Sequence, residues 1–431
     1  MVDYLSEKDK PLEFVRCPVH GFIHYSANER KIIDDPLFQR LRDIRQLALA
    51  LYIYPGATHT RFEHSLGVME MTTRAFDILT LKHEAKIVEE LGEIPELKER
   101  TLAKARQILR LLALLHDVGH PAFSHATENA VPTKKHESVS VYVIRDLLGA
   151  RINGLFFEGA AELIVRILEK SPDLIFLRQF VVGEIDMDRT DYLIRDSLHC
   201  GVDYGKFDFR QLLESLTVFK NPDTGRLELA IERGGEHAFE ALIWARYQMN
   251  TQVYYHKLRR IYDHYLREYV NAKFPHGYKD YLEVLKYNDL NMLVQIAADA
   301  DAYPVAKRIA TRHHHKVVFR TGDSADAFEL KKAKRVFTTL KDTFKDPDPD
   351  FYLDNAEGTI HNLTVPGDHE ESKVEDFFIV EKDGRPKLLT DDSAILRKIP
   401  KKFRAVRIYA DGPSAYLNTI SEAAAAEAQR V

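Results

Sequence analysis

Apolar residues recur every three or four positions through most of the first three-quarters of the chain. Leu102, Ala105, Leu109, Leu112, Ala113 and His116 keep that spacing. They predict a helix with its apolar face inward and His116 at its C-terminal end, stopped by Gly119. A second helix starts near Thr60 and runs through Phe76 and Leu79, and a third fits Ile185 to Asp196. Between Gly234 and Phe274 a long helix is expected, with Trp244, Tyr247, Thr251, Tyr254, Tyr255, Leu258, Ile261, Tyr262 and Tyr265 on one unusually aromatic stripe. Asp208 to Leu216 also suits a helix, and Leu227 to Ile231 suits a short strand after the turn at Asn221 to Gly225.

Near His313 the pattern changes. Short β-rich runs at Val317 to Arg320, Phe377 to Val380 and Ala405 to Tyr409 alternate with a charged helix from Ala327 to Phe344. Turn clusters occupy Lys345 to Asp350 and Lys382 to Pro386, and an alanine-rich helix closes the chain from Ile420 to Arg430. The expected fold is mainly α, with a helical core over residues 1–315 and a smaller α/β appendage over 316–431.

Composition narrows the function classes. The chain has 431 residues, 45% hydrophobic and 29% charged, enough to bury one large core or two modest ones. With 61 basic against 66 acidic residues, its net charge of -5 advertises neither nucleic acid nor anionic membrane. Cys17 and Cys200 are the only cysteines, which excludes a disulfide framework and a thiolate zinc cluster. No apolar run approaches the ~20 residues of a membrane span, and Met1 to Lys10 lacks the apolar centre of a signal peptide. A cytoplasmic protein is expected.

Four residues carry the candidate chemistry. His116 and Asp117 are consecutive in Leu115-His116-Asp117-Val118-Gly119-His120, where the apolar helix stops. Imidazole nitrogen and carboxylate oxygen together suit a divalent transition metal, and open positions on such a metal activate water. His64, in Arg61-Phe62-Glu63-His64-Ser65-Leu66-Gly67-Val68, supplies a further imidazole. The stretch Gly183 to Asp196 holds five carboxylates in 14 residues, and spacing does not choose among Asp186, Asp188 and Asp191. His120, His125 and His136 follow the pair, with Glu128 three residues beyond His125. Such imidazoles suit phosphate binding and protonation of a leaving oxygen, with Glu128 raising the pKa of His125. Arg61 and Arg189 offer fixed positive charge for phosphate.

These segments, together with Phe38-Gln39-Arg40-Leu41-Arg42, Gln46-Leu47, Tyr54-Pro55-Gly56-Ala57-Thr58-His59, His116-Asp117-Val118-Gly119-His120-Pro121, Phe123-Ser124-His125 and Asp186-Met187-Asp188-Arg189-Thr190-Asp191-Tyr192, resemble the HD-domain phosphohydrolases. More narrowly they resemble the deoxynucleoside triphosphate triphosphohydrolases, the group containing the SAM-and-HD-domain dNTPase and the bacterial dGTPases. The likeness runs from about His20 to Lys257, with the HD motifs over about 46–200.

The resemblance implies that His64, His116, Asp117 and Asp188 ligate one metal ion: iron, manganese, zinc, cobalt or nickel, with magnesium accompanying the substrate phosphates. It gives His125, paired with Glu128, the catalytic role, and makes His120 and His136 its phosphate-facing neighbours. Arg61 and Arg189 match phosphate-binding positions, the latter a lysine in the SAM-and-HD-domain enzyme. Gln46 and Leu47 match the pair that reads the 3′-hydroxyl and excludes a 2′-hydroxyl, and Tyr192, Asp196 and Tyr254 match the remaining sugar walls. Asn250 replaces a family histidine. Asp34, Gln39 and Arg42 match positions that recognise an activating guanine nucleotide, although the upstream basic residue falls near Glu13; their other reading is to cap and bridge helices.

The implied reaction is attack of water on the α-phosphorus of a dNTP with His125 protonating the departing 5′-oxygen, in a homo-oligomer of two to six chains. Three rivals stay open: an HD phosphodiesterase on cyclic or linear oligonucleotides, a nucleoside monophosphatase, and a nucleotide sensor or single-strand nucleic-acid binder. The last would use Arg397, Lys398, Lys401, Lys402, Arg404 and Arg407, six basic residues in eleven.

Overall fold

The computed structural model describes residues 13–346, 349–364 and 376–430. Met1 to Lys10, read above for a signal peptide, and Pro347 and Asp348 of the predicted turn lie outside the described residues.

The fold is mainly α, and its centre is a pair of long helices. Arg61–Gly92 starts at a capping box in which Thr60 and Glu63 satisfy each other's backbone N–H groups, and it packs along Thr101–Leu115. Met187–Cys200 lies against the first of these, starts at an Asp186 N-cap and stops at Gly201 in the left-handed conformation (φ 69°). The predicted stripe on Thr101–Leu115 is buried throughout, so His116 arrives at the end of a helix anchored in the main core. That helix ends at Leu115, four residues before Gly119. Gly119 serves a close approach: a Cβ there would lie 2.2 Å from the Ser140 backbone nitrogen.

The single long helix expected between Gly234 and Phe274 is two. Glu236–Met249 passes into a wide π-type turn over Asn250–Tyr254, and Lys257–Lys273 restarts at His256, whose Nδ1 accepts from Leu258 N at 3.3 Å. The extra residue in that turn changes the phase of the aromatic stripe. Tyr262 and Tyr265 are buried, whereas Trp244 is 48% exposed. The helix expected from Asp208 to Leu216 covers only Phe209–Glu214, because Leu216 opens a buried strand, Leu216–Lys220, that the pattern did not separate from a helix.

After Lys316 the α/β character is as expected, and the segment serves two cores. Strands Lys316–Arg320, Lys402–Ala410 and Tyr352–Thr359 form an antiparallel sheet covered by helices Ala327–Thr343 and Ser414–Gln429 around Val318, Val336, Ile408 and Ile420. Strand Phe378–Val380 instead pairs in parallel with Leu227–Glu232, and Ile379 and Leu389 join the main core. The basic run does not make one surface. Arg407 is buried beside Asp354 at 3.5 Å, and Arg404 meets Glu357 at 3.3 Å. No helix among the described residues is long and apolar enough to cross a membrane.

Candidate metal centre and its cavity

His64 reaches the site from the first turn of Arg61–Gly92, His116 from the end of Thr101–Leu115, and Asp188 from the first turn of Met187–Cys200. Their donor atoms lie within 4.8 Å of one another. Each imidazole has its other nitrogen tied down. His64 Nδ1 donates to Asp191 Oδ2 at 2.8 Å, and His116 Nδ1 donates to the Ala113 carbonyl at 2.7 Å. Both Nε2 atoms are buried without a hydrogen-bond partner and converge on Asp188, at 3.0 Å from His64 and 3.8 Å from His116. That is the arrangement a metal-binding histidine needs, with the tautomer fixed from behind and the lone pair turned to the ion.

Charge supports the fit. Burial alone would depress the His64 imidazolium, but the Asp188 and Asp191 carboxylates override it and push the pKa up to about 10. His116 is likewise raised against its own burial, by Asp117 and Asp188. The carboxylates therefore stabilise a positive charge in the middle of the group, and these residues fit a divalent cation. Asp117 borders the trio, its Oδ1 3.5 Å from His116 Nε2 and its Oδ2 accepting from Arg61.

The three carboxylates left open by spacing take distinct places. Asp186 caps its helix, accepting from Arg189 N at 2.7 Å, while Asp188 faces the histidines. Asp191, one turn further on, holds His64 and is itself held by His20 (2.5 Å) and by two bonds from Arg195 (2.8 Å each). Gly67 allows this packing, because a Cβ there would lie 2.1 Å from Asp191 Oδ1.

A cavity of about 480 Å³ opens from this floor. One wall carries His120, His125 and His136. His120 stacks on His136 at 3.7 Å, and burial, Arg61 and His136 together hold it well below the usual histidine range, so it is a neutral imidazole. Glu128 accepts from His125 Nδ1 through Oε2 (2.9 Å) and from His136 Nδ1 through Oε1 (2.6 Å). Those bonds keep Glu128 ionised despite its burial. The His125 side chain is 59% exposed. Its turn contains two consecutive left-handed residues, Phe123 (φ 60°) and Ser124 (φ 55°), a strained geometry that needs outside support. Asp289 supplies it, accepting from Phe123 N at 2.7 Å and, through its other oxygen, from Arg45 N at 3.0 Å. One buried carboxylate thus ties the His125 turn to the turn that carries Gln46 and Leu47.

Gln46, Leu47, Tyr192, Asp196 and Tyr254 also line the cavity. The Tyr254 hydroxyl donates to Asp196 Oδ2 at 2.8 Å, and His59 Nε2 meets Asp196 Oδ1 at 2.6 Å. Asn250, at the start of the wide turn, also lines the cavity. Arg61 lines it while bonding Asp117 and Ser124 Oγ (2.8 Å). Arg189 does not. It turns back to the Gly183 carbonyl and to Asp186 (3.4 Å), because three acceptors around Gly183 to Asp186 lie closer to its helical position than the cavity does. Asp34, Gln39 and Arg42 lie outside this cavity and are bonded locally: Gln39 Nε2 donates to the Ile33 carbonyl (2.7 Å), Arg42 Nε to Gln39 Oε1 (2.7 Å), and Asp34 accepts from Arg30 (3.2 Å).

Several wall residues escaped the sequence reading. Arg259, Asp263 and Arg267 line the cavity from Lys257–Lys273, four residues apart on one helix face, a spacing that was visible had the aromatic stripe not dominated.

A metal-capable trio at the end of an apolar helix pair, beneath a histidine wall, is the site of an HD domain, and the sequence signatures agree. That of the HD domain matches residues 61–196, and that of the HD associated region matches residues 207–339. The chain belongs to the HD-domain phosphohydrolase superfamily. It is 32% identical over 305 residues to an uncharacterised protein of Methanocaldococcus jannaschii, covering 71% of this chain and 59% of that one. It is also 32% identical over 244 residues to the deoxynucleoside triphosphate triphosphohydrolase SAMHD1 of Bos taurus, covering 48% of this chain and 38% of the relative. In fold it is similar to a crystal structure of a hypothetical protein from Aquifex aeolicus, with a TM-score of 0.75 and 27% identity over 96% of this chain and 99% of that one.

Proposed function

We propose that the protein is a metal-dependent dNTP triphosphohydrolase, cleaving a dNTP to a deoxynucleoside and inorganic triphosphate. The observation that carries this reading is one cavity lined by His116, Asp117 and Asp188, next to buried His64, by His120, His125 and His136, and by Gln46, Leu47 and Tyr254. A divalent cation at the trio and Asp117 supplies Lewis acidity and lowers the pKa of water.

The chain's own residues do the rest. Neutral His120 and the fixed guanidinium of Arg61 hold phosphate oxygens without needing to reorganise. With His125 Nδ1 held by ionised Glu128, its Nε2 is left to deliver a proton to the departing 5′-oxygen. Tyr254 and Asp196, already bonded to each other, present a sugar wall, while the Gln46 Oε1 atom, buried without a protein partner among the described residues, suits the 3′-hydroxyl. Leu47 adds an apolar side chain to the same lining, which disfavours the extra 2′-hydroxyl of a ribonucleotide. A homo-oligomer in the cytoplasm is part of this reading. Incubation with the four dNTPs, with ribonucleotides and with cyclic nucleotides, followed by chromatography, tests it: release of deoxynucleoside from dNTPs alone is expected, and turnover of cyclic or linear oligonucleotides instead would replace it with a phosphodiesterase.

A further inference from the structure

Behind the sugar wall lies a histidine that neither the metal centre nor the proposed reaction uses. His59 is 2% exposed and does not line the cavity. Its Nε2 lies 2.6 Å from Asp196 Oδ1, and because a carboxylate only accepts, that nitrogen carries the hydrogen. Its Nδ1 is buried without a hydrogen-bond partner among the described residues. A polar atom left so costs free energy that an apolar side chain of similar size would avoid, so the bond to Asp196 is what the imidazole contributes.

The same residue holds a second part of the lining. The His59 carbonyl accepts from Gln46 N at 3.0 Å, in a short antiparallel contact continued by Arg45 with Thr60 and by Arg61 N donating to the Ile44 carbonyl at 2.9 Å. His59 thus links Gln46 through its backbone with Asp196 through its ring. His199 fixes the plane of that ring, stacking on it with centroids 4.5 Å and planes 16° apart. Burial, then His59, hold the His199 pKa below the usual histidine value, so it meets His59 as a neutral ring. Gly56 lets the loop before His59 lie directly on the last turn of Met187–Cys200, because a Cβ there would be 2.5 Å from the His199 carbonyl oxygen.

Asp196 is left with capacity for a ligand. Its other oxygen accepts from the Tyr254 hydroxyl, which keeps its proton because burial and Asp196 push its pKa well above the ordinary value. Each carboxylate oxygen has two acceptor positions, so Asp196 held between His59 and Tyr254 still offers one to a hydroxyl in the cavity.

We propose that His59 is a positioning residue for recognition of the sugar, holding Asp196 and Gln46 in the register that reads the 3′-hydroxyl. The inference rests on the triphosphohydrolase reading of the same cavity. Without His59, Asp196 keeps only its Tyr254 bond among the described residues and is free to turn, so a 3′-hydroxyl loses its acceptor. A substrate without that hydroxyl loses nothing.

The test compares kcat/KM for the four dNTPs and their 2′,3′-dideoxy counterparts on the full chain with Mn²⁺, for the wild type, His59→Leu, His59→Gln and His59→Asn, with thermal melting to confirm folding. The wild type should favour a dNTP over its dideoxy counterpart about tenfold to a hundredfold. His59→Leu should lower that ratio about tenfold while dideoxy turnover stays within about threefold. Glutamine places its amide N–H where Nε2 stands and should keep most of the ratio, whereas asparagine reaches only the Nδ1 position and should not. A wild type that does not favour the 3′-hydroxyl, equal loss of both substrates in His59→Leu, or a glutamine variant no better than leucine overturns the assignment. Should His59→Leu fail to fold, the glutamine and asparagine variants decide by the same ratio. If the wild type hydrolyses neither kind of substrate, the reaction assignment has failed on its own. Equilibrium dialysis with dATP and its dideoxy counterpart then decides positioning separately: tighter dATP binding that is lost in His59→Leu and kept in His59→Gln upholds it, and any other pattern overturns it.

Discussion

The floor and the histidine wall of the cavity are built by opposite means. On the floor, His64, His116 and Asp188 sit on long helices, and the bonds that aim the ligands come from residues deep in the fold, Ala113 and the Asp191, His20 and Arg195 cluster. The wall is a short turn with two left-handed residues and an exposed His125, held to the rest of the site by Asp289 from a helix about 165 residues away in sequence. The floor is thus rigid through its elements, which suits an ion that must find its ligands in place. The wall is held by bonds from Asp289 and Arg61 onto a short turn, which suits a proton donor that must meet solvent and substrate in turn.

The largest effect that separates the two falls on the ligands. His116→Ala with Asp117→Ala should abolish both metal content and turnover, a loss of more than about 10³-fold, read by elemental analysis alongside the assay. Next comes Asp191→Asn, which leaves every ligand present but loosens His64. Metal affinity should fall about 10–100-fold, and excess metal should restore turnover. Asp289→Asn should behave in the converse way, lowering kcat/KM about tenfold to a hundredfold with metal affinity intact, because the two turns lose their common anchor and the reacting groups their alignment. Equal loss of metal from both variants would erase the distinction between floor and wall.

The smallest expected effect is in pH. Burial pushes the Asp289 carboxyl up from 3.8 to about 6, so the folded state binds this proton more tightly than the unfolded chain. Stability from this group falls as pH rises from about 4 through 6, and its ionised form carries the full cost above that. Asparagine does not titrate. The stability of the wild type relative to Asp289→Asn should therefore be greater at pH 5 than at pH 7.5 by about 1.4 kcal/mol, measured by urea denaturation at both values. A difference of the opposite sign would mean that Asp289 folds as a stabilised anion.

The same contrast explains what was legible in the chain. Helix period placed His64 and His116 correctly, because the elements that carry them are long and their phase is fixed by buried residues on either side. The choice among Asp186, Asp188 and Asp191 was not available, since Asp188 and Asp191 face the two nitrogens of one imidazole from successive turns, and only the partner helix tells them apart. The direction of Arg189 is not readable for a related reason: it depends on acceptors at Gly183 to Asp186 that the spacing does not rank. The Asp289 anchor, the parallel pairing of Phe378–Val380 with Leu227–Glu232 and the wide turn at Asn250–Tyr254 are all set by contacts distant in sequence or by one extra residue in a helix, neither of which leaves a periodic trace.

In the proposed reaction water attacks the α-phosphorus and the 5′-oxygen departs. Hydrolysis of a dNTP in ¹⁸O-labelled water, followed by ³¹P NMR and mass spectrometry, tests it most directly. Inorganic triphosphate carrying one ¹⁸O atom and an unlabelled deoxynucleoside are expected; label in a deoxynucleoside monophosphate released with pyrophosphate, or in orthophosphate, would rule this reaction out.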